Sequence, residues 1–185
     1  VTFGNNTFVA VGGSGNIVRS TDNGSSWDNV TSSTTNYLYG VTFGNNTFEA
    51  IGEAGTIVRS TDNGLTWNNF ISPSPNHTLG VTFGNNTLVA VGHNGDIVRS
   101  TDNGSSWDNV TSPTTEVIFG VTFGYNVFVA VGDFGGIVRS TDNGLTWDNA
   151  TSPTGYHLRK VTSGNNTFVA VGELGTIVRS TDNGS

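Results

Sequence analysis

A segment that returns every 40 residues is the feature that most limits how this chain can fold. In its first copy, Ile17–Trp27, the segment reads as a short apolar run, then Ser-Thr-Asp-Asn-Gly, then two variable residues and Trp. A fixed period of this length indicates a repeat architecture, in which each unit packs against its neighbours. We treat 1–185 as one domain with repeats at 1–40, 41–80, 81–120 and 121–160 and a partial repeat at 161–185.

Each repeat contains four short segments with the composition of β-strands. In the first repeat these are Val1–Phe3, Thr7–Val11, Asn16–Ser20 and a segment that begins at Trp27. They are separated by Gly-Asn-Asn, Gly-x-x-Gly and Asp-Asn-Gly turns, whose residues tolerate positive φ and close hairpins. Four short strands cannot bury both of their faces alone, so neighbouring repeats must cover them. We therefore predict an all-β fold, a β-propeller of four-stranded antiparallel blades whose strands run in order from the inside outward.

The number of blades follows from counting strands. Five repeats supply the three inner strands, but only four supply the outer strand that begins at the Trp position. The favoured interpretation is a five-bladed propeller in which the last outer strand is missing. Two alternatives stay open: a fragment of a larger ring, or an oligomer in which chains exchange strands.

The repeated segment resembles a known motif. Ser20-x-Asp22-x-Gly24-x-x-Trp27 is similar to the Asp-box, or BNR repeat, and with the preceding Val9–Ile17 stretch it resembles the blades of the photosystem II assembly-factor (Ycf48-like) propellers. The resemblance covers the whole chain and implies a propeller fold. It also suggests a scaffold for protein interaction, but Asp-boxes occur in sialidases, glucanases, sorting receptors and assembly factors, so it selects no single function.

The motif itself is predicted to be structural. The Asp22 carboxylate can accept backbone N–H groups within its own turn, Gly24 can adopt an unusual backbone angle, and Trp27 can bury its ring beside the turn. One Asp per turn falls short of the several acidic oxygens of a calcium loop, so we predict no metal and no cofactor. The residues assigned to this role are Ser20, Asp22, Gly24, Trp27, Asp62, Trp67, Asp102, Trp107, Asp142, Trp147 and Asp182.

The opposite face is where the repeats differ from one another. Antiparallel alternation places the Gly-x-x-Gly loops and the connectors between blades together there, and loops on a rigid scaffold often carry binding sites. Aromatic, His and acidic residues occur at these positions, although drift after duplication would also produce such variation. The candidate ligand-binding residues are Tyr37, Glu53, His77, His93, Asn94, Glu116, Asp133, Phe134, Tyr156 and His157.

A catalytic set is not apparent in the sequence. The Arg at one position of every third strand is expected to bind a neighbouring strand or a carboxylate such as Asp28, with an anion site as the alternative. The three His residues have no metal-ligand spacing. Glu116 and Asp133 are the one pair considered for glycoside hydrolysis. We predict that the protein is not an enzyme.

Charge excludes some partners. The net charge of −7 argues against nucleic acid and against anionic membrane surfaces. Apolar runs are all shorter than the roughly 18 residues of a spanning helix, so a soluble chain without membrane insertion is expected. The absence of Cys leaves the redox compartment open. No location is identified, with a secreted or periplasmic one favoured.

Four functions are compatible with these observations. The first is multivalent carbohydrate binding by a lectin-like propeller, since near-identical blades would offer equivalent weak sites. The second is a protein-interaction scaffold of the Ycf48-like type. The third is a recently amplified or engineered propeller with no selected ligand. A glycosidase is the least favoured. The expected partner is a glycan or a protein surface, bound by a monomer or a strand-exchanged oligomer.

Overall fold

Five antiparallel sheets succeed one another along the chain in the computed structural model, which describes residues 1–184. The first four sheets have four strands each and the fifth has three. The strands are β1 (Thr2–Gly4), β2 (Thr7–Val11), β3 (Ile17–Ser20), β4 (Asp28–Val30), β5 (Leu38–Gly44), β6 (Thr47–Gly52), β7 (Thr56–Ser60), β8 (Asn68–Ile71), β9 (Thr78–Gly84), β10 (Thr87–Gly92), β11 (Ile97–Ser100), β12 (Asp108–Val110), β13 (Ile118–Gly124), β14 (Val127–Gly132), β15 (Ile137–Ser140), β16 (Asp148–Ala150), β17 (Leu158–Gly164), β18 (Thr167–Gly172) and β19 (Ile177–Ser180). Short 3₁₀ turns lie at Gly13–Gly15, Glu53–Gly55, His93–Gly95, Asp133–Gly135 and Glu173–Gly175.

Within each sheet, the strands are hydrogen-bonded in the order in which they occur in the sequence. This confirms the predicted all-β fold of antiparallel blades. The first hairpin closes on Asn5 and Asn6, whose φ angles of 51° and 57° are those of a type I′ turn. Tyr125 replaces the first of these Asn residues in the fourth blade and keeps a φ of 53°, a conformation that is unfavourable for a bulky side chain.

Adjacent blades pack face to face, and the same contact recurs along the chain. Val9 and Ile17 of the first blade are buried against Phe48 and Trp67 of the second. The ring of Phe43 lies over Gly4, where an added Cβ would come within 2.1 Å of the ring. Phe83 covers Gly44 and Phe123 covers Gly84 in the same way. The apolar core is therefore a series of layers between blades.

The layers end at the first and fifth blades. Trp67, Trp107 and Trp147 are at most 7% exposed, but Trp27 is 42% exposed because no blade within residues 1–184 covers it. The expectation that Trp27 would bury its ring like its equivalents is thus wrong. At the other end Ile177 is 72% exposed, whereas Ile17 is 1% exposed. The five blades of residues 1–184 form an arc of a propeller, with packing from each blade to the next but none comparable between the fifth and the first.

Candidate functional site

The turns divide into two opposite faces. On one face, which we call the box face, Asn63 of the second blade donates its side-chain amide to Thr7 beside the first hairpin of the first blade, at 2.7 Å. On the other, the variable face, the backbone N–H of Leu38 in the connector donates to the carbonyl of Gly12 at 3.0 Å. The second–third turns and the connectors therefore share one face, as the alternation of strands predicts.

The turn between the third and fourth strands of each blade, which we call the box turn, is a hydrogen-bonded corner; in the second blade it runs from Ser60 to Trp67. Oδ1 of Asp62 accepts from the Ser60 hydroxyl at 2.8 Å and the Thr66 backbone N–H at 2.9 Å, and Oδ2 accepts from the Thr66 hydroxyl at 2.6 Å. The indole N–H of Trp67 donates to the carbonyl of Gly64 at 3.2 Å. In the first blade the equivalent bonds, first that of the Ser26 side chain, lower the pKa of Asp22 to about 2. In both blades the hydrogen bonds that the Asp carboxylate accepts come from residues of its own turn, as expected for a residue that stabilises the turn.

The repeated Arg residues connect each blade to the next box turn. Nε of Arg19 donates to the carbonyl of Asn63 at 2.8 Å, and Nε of Arg99 donates to that of Asn143 at 2.8 Å. Arg139 donates to the carbonyl of Asn183 at 3.3 Å. These Arg residues thus hold blades together, as structural residues, but their partner is a backbone carbonyl in the next box turn and not the neighbouring strand or the carboxylate that was expected.

Glu49 breaks this pattern at the interface of the second and third blades. It stands where the other repeats have Val, and its side chain is fully buried. Its Oε1 lies 3.3 Å from Nε of Arg59, but neither carboxylate oxygen forms a hydrogen bond within the described chain. Burial raises the pKa of Glu49 to about 9, with Arg59 opposing the shift and Asp102 adding to it. The carboxyl group is therefore protonated near neutral pH.

The facing box turn in the third blade is altered beside Glu49. Oε1 lies so close to Gly104 that a Cβ added there would be 2.1 Å from it. Nε1 of Trp107 makes no hydrogen bond, unlike its equivalents in the first, second and fourth blades. Asn103 accepts from the side chain of Asn45 at 2.9 Å. The Ser100 and Asp102 hydrogen bonds of this turn are the same as in the other blades, and the Asn45–Asn103 bond recurs between Asn85 and Asn143, so the difference beside Glu49 is the missing bond of the Trp107 indole.

The variable face carries a cluster of ionic and aromatic residues at the fourth and fifth blades. Nδ1 of His157 lies 2.7 Å from Oδ1 of Asp133, and the His157 ring is 5.2 Å from that of Phe134. The Arg159 guanidinium pairs with Glu173 and lowers its pKa. It also lies 4.1 Å from the centroid of the Phe119 ring. We call this set the His157 cluster; its members are Phe119, Asp133, Phe134, His157, Arg159 and Glu173.

The proton on His157 decides which partner Nδ1 has. When Nδ1 carries a proton it can donate to Asp133, and when it does not it can accept from the backbone N–H of Phe134, 3.1 Å away. His77 occupies the equivalent position in an earlier connector, and its Nδ1 accepts from the N–H of Ala54 at 3.1 Å. Connector His residues therefore support the neighbouring Gly-x-x-Gly loop.

The remaining predicted site residues are distributed along the same face. His77 and His93 make an edge-to-face contact with 5.1 Å between ring centroids. The backbone N–H of Tyr37 is 3.4 Å from the Glu53 carboxylate. Glu116 shares with Asp133 only a cavity of about 40 Å³, too small for a sugar ring. The two others are set apart from these contacts: Asn94 borders an outer groove beside Pro75, and Tyr156 is 52% exposed.

Three members of the His157 cluster lie at variable positions of this face but were not among the predicted ligand-binding residues: Phe119, Arg159 and Glu173. Phe119 and Arg159 occupy the same position of successive connectors, and Glu173 is the loop equivalent of Asp133. Every residue at these two repeat positions borders the same face. If each of them had been kept as a candidate, all three would have been included.

Other kinds of site were sought among residues 1–184. Within them, no three His, Cys, Asp or Glu side chains are grouped to hold a metal ion. The helical turns of this stretch are all too short to cross a membrane. An apolar cavity of about 330 Å³ lies between the fourth and fifth blades, lined by residues such as Val129, Ile137 and Phe168. It contains none of the predicted site residues.

This architecture defines a β-propeller arc. The sequence matches no protein-family model, and no curated protein matches it either. Solved structures match in fold. YCF48 bound to D1 peptide is 18% identical with a TM-score of 0.75, over 98% of this chain and 63% of that chain.

Two further propellers show how widely the fold is shared. The computationally designed Ika8 protein is 14% identical with a TM-score of 0.75, over 96% of this chain and 56% of that one. A catalytically inactive virginiamycin B lyase from Staphylococcus aureus, solved with quinupristin, is 20% identical with a TM-score of 0.70, over 92% and 64%. This chain thus spans less than two thirds of the length of each of these structures.

Proposed function

We propose that this chain is a non-enzymatic propeller that binds a protein or peptide on its variable face, with the His157 cluster as the main contact. The observation that carries the proposal is the uneven distribution of side chains on otherwise similar blades. Asp133 and Phe134 occupy the positions of Gly13 and Ser14 in the first repeat. Loop drift alone gives no reason for ionic and aromatic residues to meet in one place.

The chemistry of the cluster suits a protein partner. Phe134 is 65% exposed, and Arg159 of the same cluster is held with its guanidinium stacked on Phe119 and paired with Glu173. Aromatic residues and Arg are the types most often found at the energetic centre of protein interfaces. Because these contacts hold the Arg159 side chain in place before binding, its ordering would cost less free energy on association.

The comparison with YCF48 supports the same class of function. That propeller has been solved bound to a peptide, the D1 peptide. A peptide or protein partner for this chain agrees with the acidic charge, which disfavours nucleic acid, and with the exposed apolar rings.

Multivalent carbohydrate binding has weaker support. Such binding gains from equivalent sites repeated on every blade. The residues that distinguish the variable face are not equivalent: the connector position of His157 is Tyr37, His77 and Val117 in the preceding repeats. We therefore favour a single asymmetric site over a lectin-like array.

The test is a selection of peptides from a random phage-displayed library on the 185-residue chain. Selected peptides should bind the unaltered chain in solution by isothermal titration calorimetry. The variants Phe134→Ser and Arg159→Ser should each weaken that binding about tenfold or more, the loss expected for a central interface residue.

The matched control is Tyr125→Asn, which changes an exposed aromatic residue on the box face to the residue that other repeats have. It should leave peptide affinity unchanged. Equal binding of the peptides to all three variants would contradict the proposal. A glycan array run in parallel would favour the carbohydrate hypothesis if it gave hits that survive both substitutions on the variable face.

A further inference from the structure

We infer that Asp133 binds a basic side chain of the partner and that a proton on His157 competes for the same carboxylate, so that acidification weakens peptide binding. This role rests on the proposed function, and it adds to it the chemistry of the partner and a control by pH. One atom connects the two residues to the exposed ring. Nδ1 of His157 lies 2.7 Å from Oδ1 of Asp133 and 3.1 Å from the backbone nitrogen of Phe134.

These two contacts of Nδ1 require opposite protonation states. A ring nitrogen donates to a carboxylate only when it carries a proton, and it accepts from a backbone N–H only when it does not. The charged imidazolium has a proton on both nitrogens, so it donates to Asp133 and leaves the N–H of Phe134 without this acceptor. The neutral ring protonated at Nε2 does the reverse: it accepts from Phe134 and leaves the carboxylate of Asp133 without this donor.

When His157 is neutral, the carboxylate of Asp133 lacks an ionic partner. Within residues 1–184, His157 is the one cationic group within 4 Å of it. The other carboxylate that faces the ring, that of Glu173, lies 3.9 Å from Nε2 and is paired with Arg159 of the same strand as His157. Glu116 borders the same small cavity as Asp133 and adds negative charge there. A cation supplied by a partner therefore complements this part of the face.

The surroundings of Asp133 suit the side chain of Lys or Arg. The side chain of Asp133 is 18% exposed, so a partner can contact a carboxylate that is partly shielded from water. The next residue, Phe134, is 65% exposed. A cation that pairs with the carboxylate can also contact the face of an aromatic ring, which adds to the attraction. The net charge of −7 favours the approach of a basic partner.

The proton and the partner are thus linked through one carboxylate. The imidazolium of His157 and the cation of the partner compete for Asp133, and the proton also removes the acceptor that holds the backbone of Phe134. Each of the two ligands therefore weakens the binding of the other by the same factor. Histidine side chains titrate between about pH 5 and 8, so the competition operates near neutral pH.

His77 occupies the same repeat position without this competition. Its Nδ1 accepts from the backbone N–H of Ala54 at 3.1 Å, as that of His157 does from Phe134 in the neutral form. The acidic loop residue beside Ala54 is Glu53, whose carboxylate is directed to the backbone N–H of Tyr37 at 3.4 Å. His77 forms no ion pair within residues 1–184. A proton on His77 therefore occupies no carboxylate that a partner could use.

The experiment is isothermal titration calorimetry at about pH 8 and about pH 5.5, with peptides selected at about pH 8 from the random library. The peptides are acetylated at the N-terminus and those that contain His are left out, so their charge is constant over this range. They should contain Lys or Arg, and their Kd for the 185-residue chain should be about tenfold higher at the lower pH.

Two variants remove one competitor or the shared acceptor. His157→Asn should abolish the pH dependence, because Asn gains no charge on acidification. Asp133→Asn should bind at both pH values as weakly as the unaltered chain binds at the lower one. Circular dichroism at both pH values verifies that each variant is folded.

His77→Asn is the matched control, since it makes the same substitution at the same repeat position. Its ratio of the two Kd values should equal that of the unaltered chain. The inference would be overturned, with the proposed function intact, by peptides that depend on Phe134 but bind equally tightly at both pH values or contain no Lys or Arg. A pH dependence that His157→Asn keeps would also overturn it. If no selected peptide depended on Phe134, the proposed function itself would be wrong.

Discussion

A carboxyl oxygen of Glu49 lies 3.3 Å from the guanidinium of Arg59, in a layer between blades that is otherwise largely apolar. The other four repeats have Val in place of this Glu. Burying a carboxyl group without hydrogen bonds costs more than its attraction to a nearby Arg returns. The pair is therefore a source of instability at one interface.

Glu49→Val should stabilise the chain. The variant restores the residue that packs in the equivalent layers. Arg59 already donates from its guanidinium to the Ser105 hydroxyl of the next box turn, and the variant leaves its Nε free to donate to a backbone carbonyl there, as Nε of Arg19 does. Because the variant removes a buried carboxyl group that has no hydrogen bond, we expect a gain of about 1–3 kcal/mol in the free energy of unfolding, measured by urea denaturation. The reciprocal variant Val89→Glu should lose a similar amount. A destabilised Glu49→Val would show that the contact between Glu49 and Arg59 contributes net stability.

Stability should depend on pH through the same group. The pKa of Glu49 is about 9 in the folded chain against 4.5 for an ordinary Glu. Between these values the folded state holds a proton on Glu49 that the unfolded state has released. The stability that the protonated carboxyl group contributes is therefore complete below pH 4.5 and is lost as the pH rises toward 9. The unfolding free energy should fall by up to about 1.4 kcal/mol per pH unit across this window.

Glu49→Val provides the reference for that measurement. The difference in unfolding free energy between the variant and the unaltered chain should widen steadily with pH in the window above. A constant difference would mean that Glu49 does not titrate with the raised pKa.

Trp27 and Trp67 should differ in their contributions to stability even though their motifs match. Trp67 is 5% exposed and packs on the preceding blade, so Trp67→Ala should cost about 3–5 kcal/mol. Trp27 is 42% exposed and packs mainly on its own blade, so Trp27→Ala should cost less than half as much. Both are measured by urea denaturation. Equal costs would contradict the difference in exposure between the two Trp side chains.

Gly92 and Gly12 provide a similar comparison on the variable face. Both have extended φ angles, −168° and −166°, which any residue can adopt. A Cβ at Gly92 would lie 2.1 Å from the carbonyl oxygen of His77, whereas one at Gly12 would meet nothing within 4 Å. Gly92→Ala should lower the unfolding free energy by about 1–3 kcal/mol and Gly12→Ala should leave it nearly unchanged. Thermal denaturation of the two variants would distinguish these outcomes.

Much of the architecture could be predicted because it is local and repeated. The Asn5–Asn6 turn, the hydrogen bonds of Asp22 and the order of strands all follow from residues close together in the sequence. Identical motifs nevertheless occupy unequal surroundings. The exposure of Trp27 depends on whether another blade covers it, and this cannot be predicted from the sequence of its own repeat.

The candidate site was predictable for a similar reason, and only in part. Comparing repeats identified Asp133, Phe134 and His157, which the structure brings together. It did not identify Arg159, whose stacking on Phe119 joins two connectors that are 40 residues apart. Glu49 could be recognised as an unusual residue, but its consequence depends on the facing turn of the third blade.

The layered construction has a thermodynamic consequence. When each unit contacts only the units beside it, the chain behaves as a linear array whose cooperativity depends on its weakest coupling. The buried carboxyl group of Glu49 makes the interface between the second and third blades the weakest one. Partial opening should therefore separate the first two blades from the other three before either part unfolds. Amide hydrogen exchange would then show two cooperative units with a boundary in the connector before Thr78, and Glu49→Val would merge them into one.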